Sequence, residues 1–278
     1  MQSYGPEISP TLLPQGNPGV LDFYTPFLNA LYSKDKTSTL AILAHSHIGH
    51  SPEIDDLHFQ QLTSYSLPAQ VQGALQAYDA VRHYYGQNTK IILIGHSVGA
   101  WVALQIVKAR QTDIKSAFLL FPTITHISKT RNGVLLAKFF TPIPRYAVSM
   151  MSYLTRLVPD SVLSMIFSSW PAAQIRALRV LLNSPGAIRA TMSMADAEMQ
   201  GIKDLDTSLI TQHKHCLRFY FAQHDDWVGE NREVVLESFE AEAETVSIVH
   251  GHHDIPHAFC INHGEAVAEQ CHEWLLAL

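Results

Sequence analysis

Residues 91–108 constrain the fold of this chain more than any other stretch. Ile91-Ile92-Leu93-Ile94 is a short unbroken apolar run, the pattern of a strand buried on both faces of a parallel sheet. It passes directly into Gly95-His96-Ser97-Val98-Gly99, and Ala100 to Lys108 then reads as a helix. A strand, a sharp turn and a helix in immediate succession hold the apex residue, Ser97, out at the strand's C-terminal end. The small flanking residues let the chain bend that tightly. The helix begins at the same place, so its free N–H groups point at the serine.

The rest of the chain repeats this alternation. Thr39–Ala44, Ala117–Phe121, Leu217–Ala222 and Val246–Val249 read as further strands. Val20–Leu31, with Phe23, Phe27, Leu28 and Leu31 on one face, reads as a helix. So do the stretch carrying Val71, Ala74, Leu75, Tyr78 and Val81 and the stretch near 264–277. Strands alternating with helices predict a mostly parallel sheet with helices on both faces. Residues 1–14 carry Pro6, Pro10 and Pro14 and predict at best a poor strand. Residues 51–68 read as a polar loop. From 123 to about 214 the strands stop and the pattern is helical throughout, and six of the seven methionines lie there. The chain therefore reads as one domain, 1–278, with a helical cap at 123–214 inserted after the strand ending near Phe121.

A serine hydroxyl is a weak nucleophile until a base takes its proton, and the base needs a carboxylate to orient it. In α/β-hydrolases the acid and the base follow the serine in that order, on loops after later strands. Asp225 and Asp226 follow the 217–222 strand, with Asp225 nearer its end. His250, His252, His253 and His257 follow the last strand, and generic spacing favours His252. A tetrahedral intermediate needs N–H donors, and Val98, just after the serine, supplies one. Asn17, in Gln15-Gly16-Asn17-Pro18-Gly19, keeps the N–H that Pro18 lacks and is the second candidate.

Histidine clustering offers a rival. His45-x-His47-x-x-His50 and His250-x-His252-His253-Asp254 have ligand types that bind zinc. The first has Gly49 where the familiar metal-hydrolase motif has aspartate, and the second sits on a loop that a serine mechanism already requires. The expectation is no metal and no cofactor. A net charge of −6 argues against general nucleic-acid binding, and three cysteines suit a reducing compartment. No apolar run approaches the roughly 18 residues of a spanning helix, and no signal-peptide pattern is present.

With these residues in view, the chain resembles the lipid droplet-associated hydrolases. The resemblance rests on Gly16-Asn17-Pro18-Gly19, Phe23-Tyr24-x-Pro26-Phe27, Ser46-His47-x-Gly49-His50 and Gly95–Gly99. It continues through Phe118–Ile124, Asp225-x-Trp227 and Ile255-Pro256-His257-Ala258-Phe259. It implies an α/β-hydrolase fold with a helical cap and selects Asp225 as acid and His257, rather than His252, as base. It also implies an esterase of neutral lipids or sterol esters, working on the cytosolic side of a lipid droplet or endoplasmic reticulum surface. The partners expected are a lipid ester and a phospholipid monolayer or membrane, bound peripherally. The alternative is a lipid-surface binding or scaffold protein of the same fold with little turnover. Members of that family carry a longer stretch with early strands before Gly-Asn-Pro-Gly. Only fifteen residues precede Gly16 here, so the expectation is a sheet edge and first oxyanion loop with less support.

Residues 123–195 hold eight basic residues and one acid, Asp160, within a chain of net charge −6. On the 172–183 helix, Ile175, Leu178 and Leu182 face one way while Arg176, Arg179 and Asn183 turn elsewhere. A helix with apolar and basic faces suits an anionic lipid interface, so this segment is the expected contact with lipid.

Overall fold

A computed structural model describes residues 9–52, 65–86, 88–239 and 247–278. Among them a six-stranded sheet runs in the order β2-β1-β3-β4-β5-β6, with every neighbouring pair parallel. The strands are β1 (Ser9–Pro14), β2 (Leu40–His45), β3 (Ile91–His96), β4 (Ile114–Leu120), β5 (Leu217–Phe221) and β6 (Ser247–His250). Most of the polar loop expected at 51–68, and Val246 of the expected last strand, lie outside the described residues.

Side-chain alternation divides the core into two layers. Leu93, Leu119 and Phe219 point to one face, with α2 (Leu67–Tyr85) and α3 (Val98–Ala109) packed over them through Tyr78, Val102 and Ile106. Ile92, Ile94, Phe118 and Tyr220 point to the other face, under Phe27 and Leu31 of α1 (Thr25–Lys34) and Trp274 of α11 (Gly264–Leu276). The helix expected at 20–31 is resolved into a tight turn at Leu21–Tyr24 followed by α1. Pro26 sits in the first turn of α1, where a missing N–H leaves no helical bond unmade.

The first strand departs from expectation. Residues 9–14 form β1, and β1 is interior, between β2 and β3. The parity of its prolines explains how. Ser9 N–H donates to Thr39 O at 2.7 Å, so odd positions of β1 face β2 and even positions face β3. Pro10 and Pro14 are both even, so both missing donors fall on the β3 side. There the register is confined to Thr11↔Ile92 and Leu12↔Leu93, between the two prolines. The β2 side keeps a full six-residue register.

Between β4 and β5 the chain is helical. It passes through α4 (Arg131–Leu136), α5 (Pro142–Thr155), α6 (Asp160–Ile166), α7 (Ala172–Leu182), α8 (Pro185–Gly201) and α9 (Thr207–His213). This layer is tied to the body at several points. Gln174 Nε2 of α7 donates to Phe23 O and Cys260 O, and Asn132 N–H donates to Asp226 O. After β5 comes α10 (Asn231–Glu237). Among the described residues no helix is long and apolar enough to cross a membrane.

Candidate active site

Ser97 sits at the C-terminal end of β3 with φ +55° and ψ −123°, a strained conformation for a residue with a side chain. Its surroundings enforce it. A Cβ on Gly95 would lie 2.6 Å from Ala100 Cα, and one on Gly99 would run into the Pro14 carbonyl, so neither position admits a larger residue. Ser97 N–H donates to Leu120 O at 3.0 Å and Ser97 O accepts from Ala100 N–H at 3.0 Å, fixing the turn from both sides.

Three residues chosen from the sequence meet here. His257 Nε2 lies 2.9 Å from Ser97 Oγ, and His257 Nδ1 lies 2.7 Å from Asp225 Oδ2. A carboxylate only accepts, so the proton of this pair is assigned to Nδ1, which leaves the Nε2 lone pair facing the serine hydroxyl. Asp225 Oδ1 accepts from Trp227 N–H at 2.8 Å and Val228 N–H at 3.0 Å. Burial alone would raise the Asp225 carboxyl, but His257 and these two N–H groups outweigh it and hold the group below its ordinary value. The competitors lie elsewhere. Asp226 faces Arg131 at 3.3 Å, and His252 is exposed beside Asp254.

The loop after β1 closes against the serine. A Cβ on Gly16 would lie 3.0 Å from Ser97 Cβ and 2.7 Å from His96 Nδ1, so the loop backbone comes this close only because residue 16 is glycine. Next in the chain is Asn17. Val98 opens α3, where its N–H has no intrahelical partner. His47 and His50, candidates for a metal cluster, are buried and brace this loop. His47 Nε2 lies 2.7 Å from Gln15 O and His50 Nδ1 lies 2.6 Å from Pro18 O, so each of these nitrogens carries a proton and donates. Burial pushes their pKa values down to about 3 and about 4 respectively, keeping both rings neutral. Among the described residues, the ligand atoms of His252, His253 and Asp254 lie within 4.8 Å of one another, on an exposed turn.

Three further residues belong to the site. Gly16 N–H donates to Tyr24 Oη at 2.9 Å, Tyr24 Oη lies 2.6 Å from His96 Nδ1, and His96 Nε2 lies 2.9 Å from His257 O. The carbonyl requires a proton on Nε2, so Nδ1 accepts the tyrosine proton. Burial, and then the neighbouring His257, push the His96 pKa down to about 3. A neutral relay thus links the loop beside the nucleophile to the backbone of His257. The third residue is Glu198 of α8. Asn17 Nδ2 donates to Glu198 Oε1 at 2.9 Å and to Thr191 O at 3.0 Å, tying the same loop to a helix of the inserted layer. Burial raises the Glu198 carboxyl to about 7, and the hydrogen bond from Asn17 offsets only part of that.

Known proteins resemble this chain in sequence and in fold. A sequence model described as lipid-droplet associated hydrolase matches residues 10–260. Lipid droplet-associated hydrolase of Mus musculus is 28% identical over 278 residues, covering 94% of this chain and 82% of its own length. The protein of the same name from Drosophila melanogaster is 26% identical, covering 91% and 84%. Among solved structures, a 2-hydroxy-6-oxo-6-phenylhexa-2,4-dienoate hydrolase from Rhodococcus sp. strain RHA1 superposes with a TM-score of 0.67 at 13% identity, covering 97% of this chain and 91% of its own. Epoxide hydrolase VrEH1 from Vigna radiata superposes with a TM-score of 0.64 at 14% identity, covering 98% and 92%. At such identities the likeness is one of fold, the α/β-hydrolase fold, which hosts unlike reactions.

Proposed function

Because the chain belongs to the lipid-droplet associated hydrolase family, we propose that it is a serine hydrolase that cleaves carboxylic esters of neutral lipids or sterols. Its place of work is a lipid droplet or endoplasmic reticulum surface, on the cytosolic side. The observation that carries this reading is the unbroken chain Ser97 Oγ, His257, Asp225 at the strained turn, at 2.9 and 2.7 Å. His257 Nε2 takes the hydroxyl proton as Ser97 Oγ attacks the ester carbonyl, while Asp225 holds the ring and steadies its positive charge. The backbone N–H groups of Val98 and Asn17 receive the developing oxyanion. His257 then returns its proton to the leaving alcohol, and an acyl-Ser97 ester remains. Water activated by the same histidine releases the fatty acid.

An apolar acyl chain suits the ground beside the nucleophile. Val98 is part of a buried cluster with Leu67, Ile127, Met194, Met199 and Ile202, flanked by Trp101 and Trp227. Methionine side chains adapt to irregular apolar partners.

A fluorophosphonate probe tests the reading, together with turnover of a soluble short-chain ester. Wild type is expected to label and to turn over, and Ser97→Ala to do neither. Normal turnover by purified Ser97→Ala, or a wild type that neither labels nor turns over, would remove the esterase assignment. The second result would leave a binding protein of the same fold.

A further inference from the structure

Glu198 is an acid placed where an ion is costly. It is 4% exposed on α8, and Asn17 Nδ2 donates to its Oε1 at 2.9 Å and to Thr191 O at 3.0 Å. Thr191 and Glu198 are seven residues apart, so they share one face of α8 and the Asn17 side chain bridges two turns of it. Both hydrogens of that amide are spent. Asn17 Oδ1 is itself a buried acceptor without a partner among the described residues, so an ionised Glu198 would add acceptors where one already stands unmet.

The helix is clamped from its other side by α5. Ser149 Oγ donates to Pro185 O, and Arg145 lies 3.7 Å from Asp196. α5 makes these contacts with a polar face and turns Met151 and Leu154 outward, 62% and 61% exposed. Among the described residues, the charged and titratable groups around α8 are engaged, neutral or turned away. Arg189 stands nine residues before Glu198, on the opposite side of the helix. On α7, Arg179 holds Asp160, Thr155 O and Val158 O, and Arg176 is exposed. Past the end of α8, Lys203 donates to Met199 O and His126 Nε2 lies 2.9 Å from Asp204 Oδ1. Lys129 and Lys138 are exposed. Tyr65 lies over Gly49, near Ala190 in the first half of the helix. Burial lowers the pKa of His45, His47 and His50 and keeps them neutral, and residues 67–77 of α2 carry no titratable side chain. Burial and the bond from Asn17 therefore decide the Glu198 carboxyl, and burial, the larger, raises it from 4.5 to about 7.

This acid stands directly behind an oxyanion donor. The loop that holds Asn17 passes so near the nucleophile that a Cβ on Gly16 would lie 3.0 Å from Ser97 Cβ. We infer that Glu198 is a positioning residue: as a neutral acid it holds Asn17, and with it the N–H that receives the oxyanion, and when it gives up its proton turnover slows. Two effects act together. The anion draws in water or further donors, which loosens the Asn17 anchor. It also repels the charge that develops on the substrate oxygen; two like charges roughly 10 Å apart at an effective dielectric of about 20 slow such a step about tenfold. Both effects bear on the transition state and not on the bound ester, so the loss falls on kcat and leaves KM. The inference adds a regulating group to the esterase reading and rests on that reading.

Turnover of p-nitrophenyl butyrate from pH 6 to pH 8.5, per folded enzyme, tests it in wild type, Glu198→Gln and Glu198→Ala. Glu198→Gln keeps the oxygen that accepts from Asn17 and does not ionise. The ratio of wild-type to Glu198→Gln kcat/KM should therefore fall about five- to tenfold over this range, with the change carried by kcat. The titration of His257 is common to both proteins and cancels in the ratio. Glu198→Ala leaves Asn17 Nδ2 with Thr191 O alone and should be about tenfold slower than Glu198→Gln at every pH. A ratio that stays constant with pH overturns the inference, and so does a Glu198→Ala that matches Glu198→Gln throughout. Wild-type turnover that Ser97→Ala abolishes, with a constant ratio, removes this inference alone. A wild type with no such turnover at any pH removes the esterase reading and this inference with it.

Discussion

Glu198 makes the stability of this protein depend on pH in a direction opposite to that of a salt-bridged carboxylate. Its pKa is raised from 4.5 to about 7 in the fold, chiefly by burial. Between these values the native state binds more protons than the unfolded chain, so stability falls as pH rises. Below the unfolded pKa the carboxyl is protonated in both states and no penalty exists. Above the folded pKa the penalty is complete, at about 3 kcal/mol for a shift of this size. In Glu198→Gln the amide keeps the oxygen that accepts from Asn17 Nδ2 and does not titrate. The two proteins share every other titrating group, including His47 and His50, so those contributions cancel in the difference. Urea unfolding of both proteins from pH 5 to pH 8 measures it. The variant should gain about 2–2.5 kcal/mol on wild type across that range, over whatever constant offset the substitution brings. Parallel stability curves would mean that Glu198 is solvated or paired in solution, and that the tie between α8 and Asn17 is not the buried contact described.

Two other outcomes follow from the site. His257→Ala should lower soluble-ester turnover on the order of 10³-fold or more, while His252→Ala changes it little, as judged by initial rates at equal folded concentration; the reverse order would reassign the base. Tyr24→Phe keeps the ring packing but leaves Gly16 N–H and His96 Nδ1 buried without their partner. It should cost about 2–4 kcal/mol in urea unfolding, and a loss under about 0.5 kcal/mol would show that the relay is not made.

How much of this was legible in the sequence follows from where the information resides. Strands β3, β4 and β5 announce themselves because a parallel strand covered on both faces is an apolar run. β1 did not, because its prolines argue against an interior strand and only the parity of its hydrogen bonds reconciles them. Ser97 and Val98 follow from one local motif. Asp225 and His257 needed a family resemblance, because two acids and four histidines lie within loop reach and sequence spacing does not encode reach. Tyr24 and His96 stand 72 residues apart and Asn17 and Glu198 181 apart, and no local pattern joins them. Ala147, Met150, Met151, Leu154 and Leu157 share a helical face in the sequence, but periodicity does not tell which way a face points. The ordinary expectation, apolar inward, is the wrong one there.

The two unusual features of the inserted layer meet on one helix. α8 receives Ser149 of α5 at its first residue, Pro185, and its Asp196 lies 3.7 Å from Arg145 of α5. Between and beyond these contacts, Thr191 O and Glu198 Oε1 hold the Asn17 side chain. A helix of seventeen residues is about 25 Å long and moves as a rigid body, so α5 cannot shift on α8 without loading the same rod that holds the loop beside Ser97. Met194 and Met199 of the rod belong to the same buried cluster as Val98, so the apolar ground next to the serine is carried by it as well. Surface and site are therefore not separate attachments to the sheet. The face that meets solvent with apolar side chains and the loop that meets the nucleophile are opposite sides of one packed pair of helices. Ser97 itself is buried, 7% exposed, beside the loop that this pair holds through Asn17. A wedge driven between α5 and α8, such as Ser149→Leu, would therefore disturb ester turnover without touching any residue of the triad.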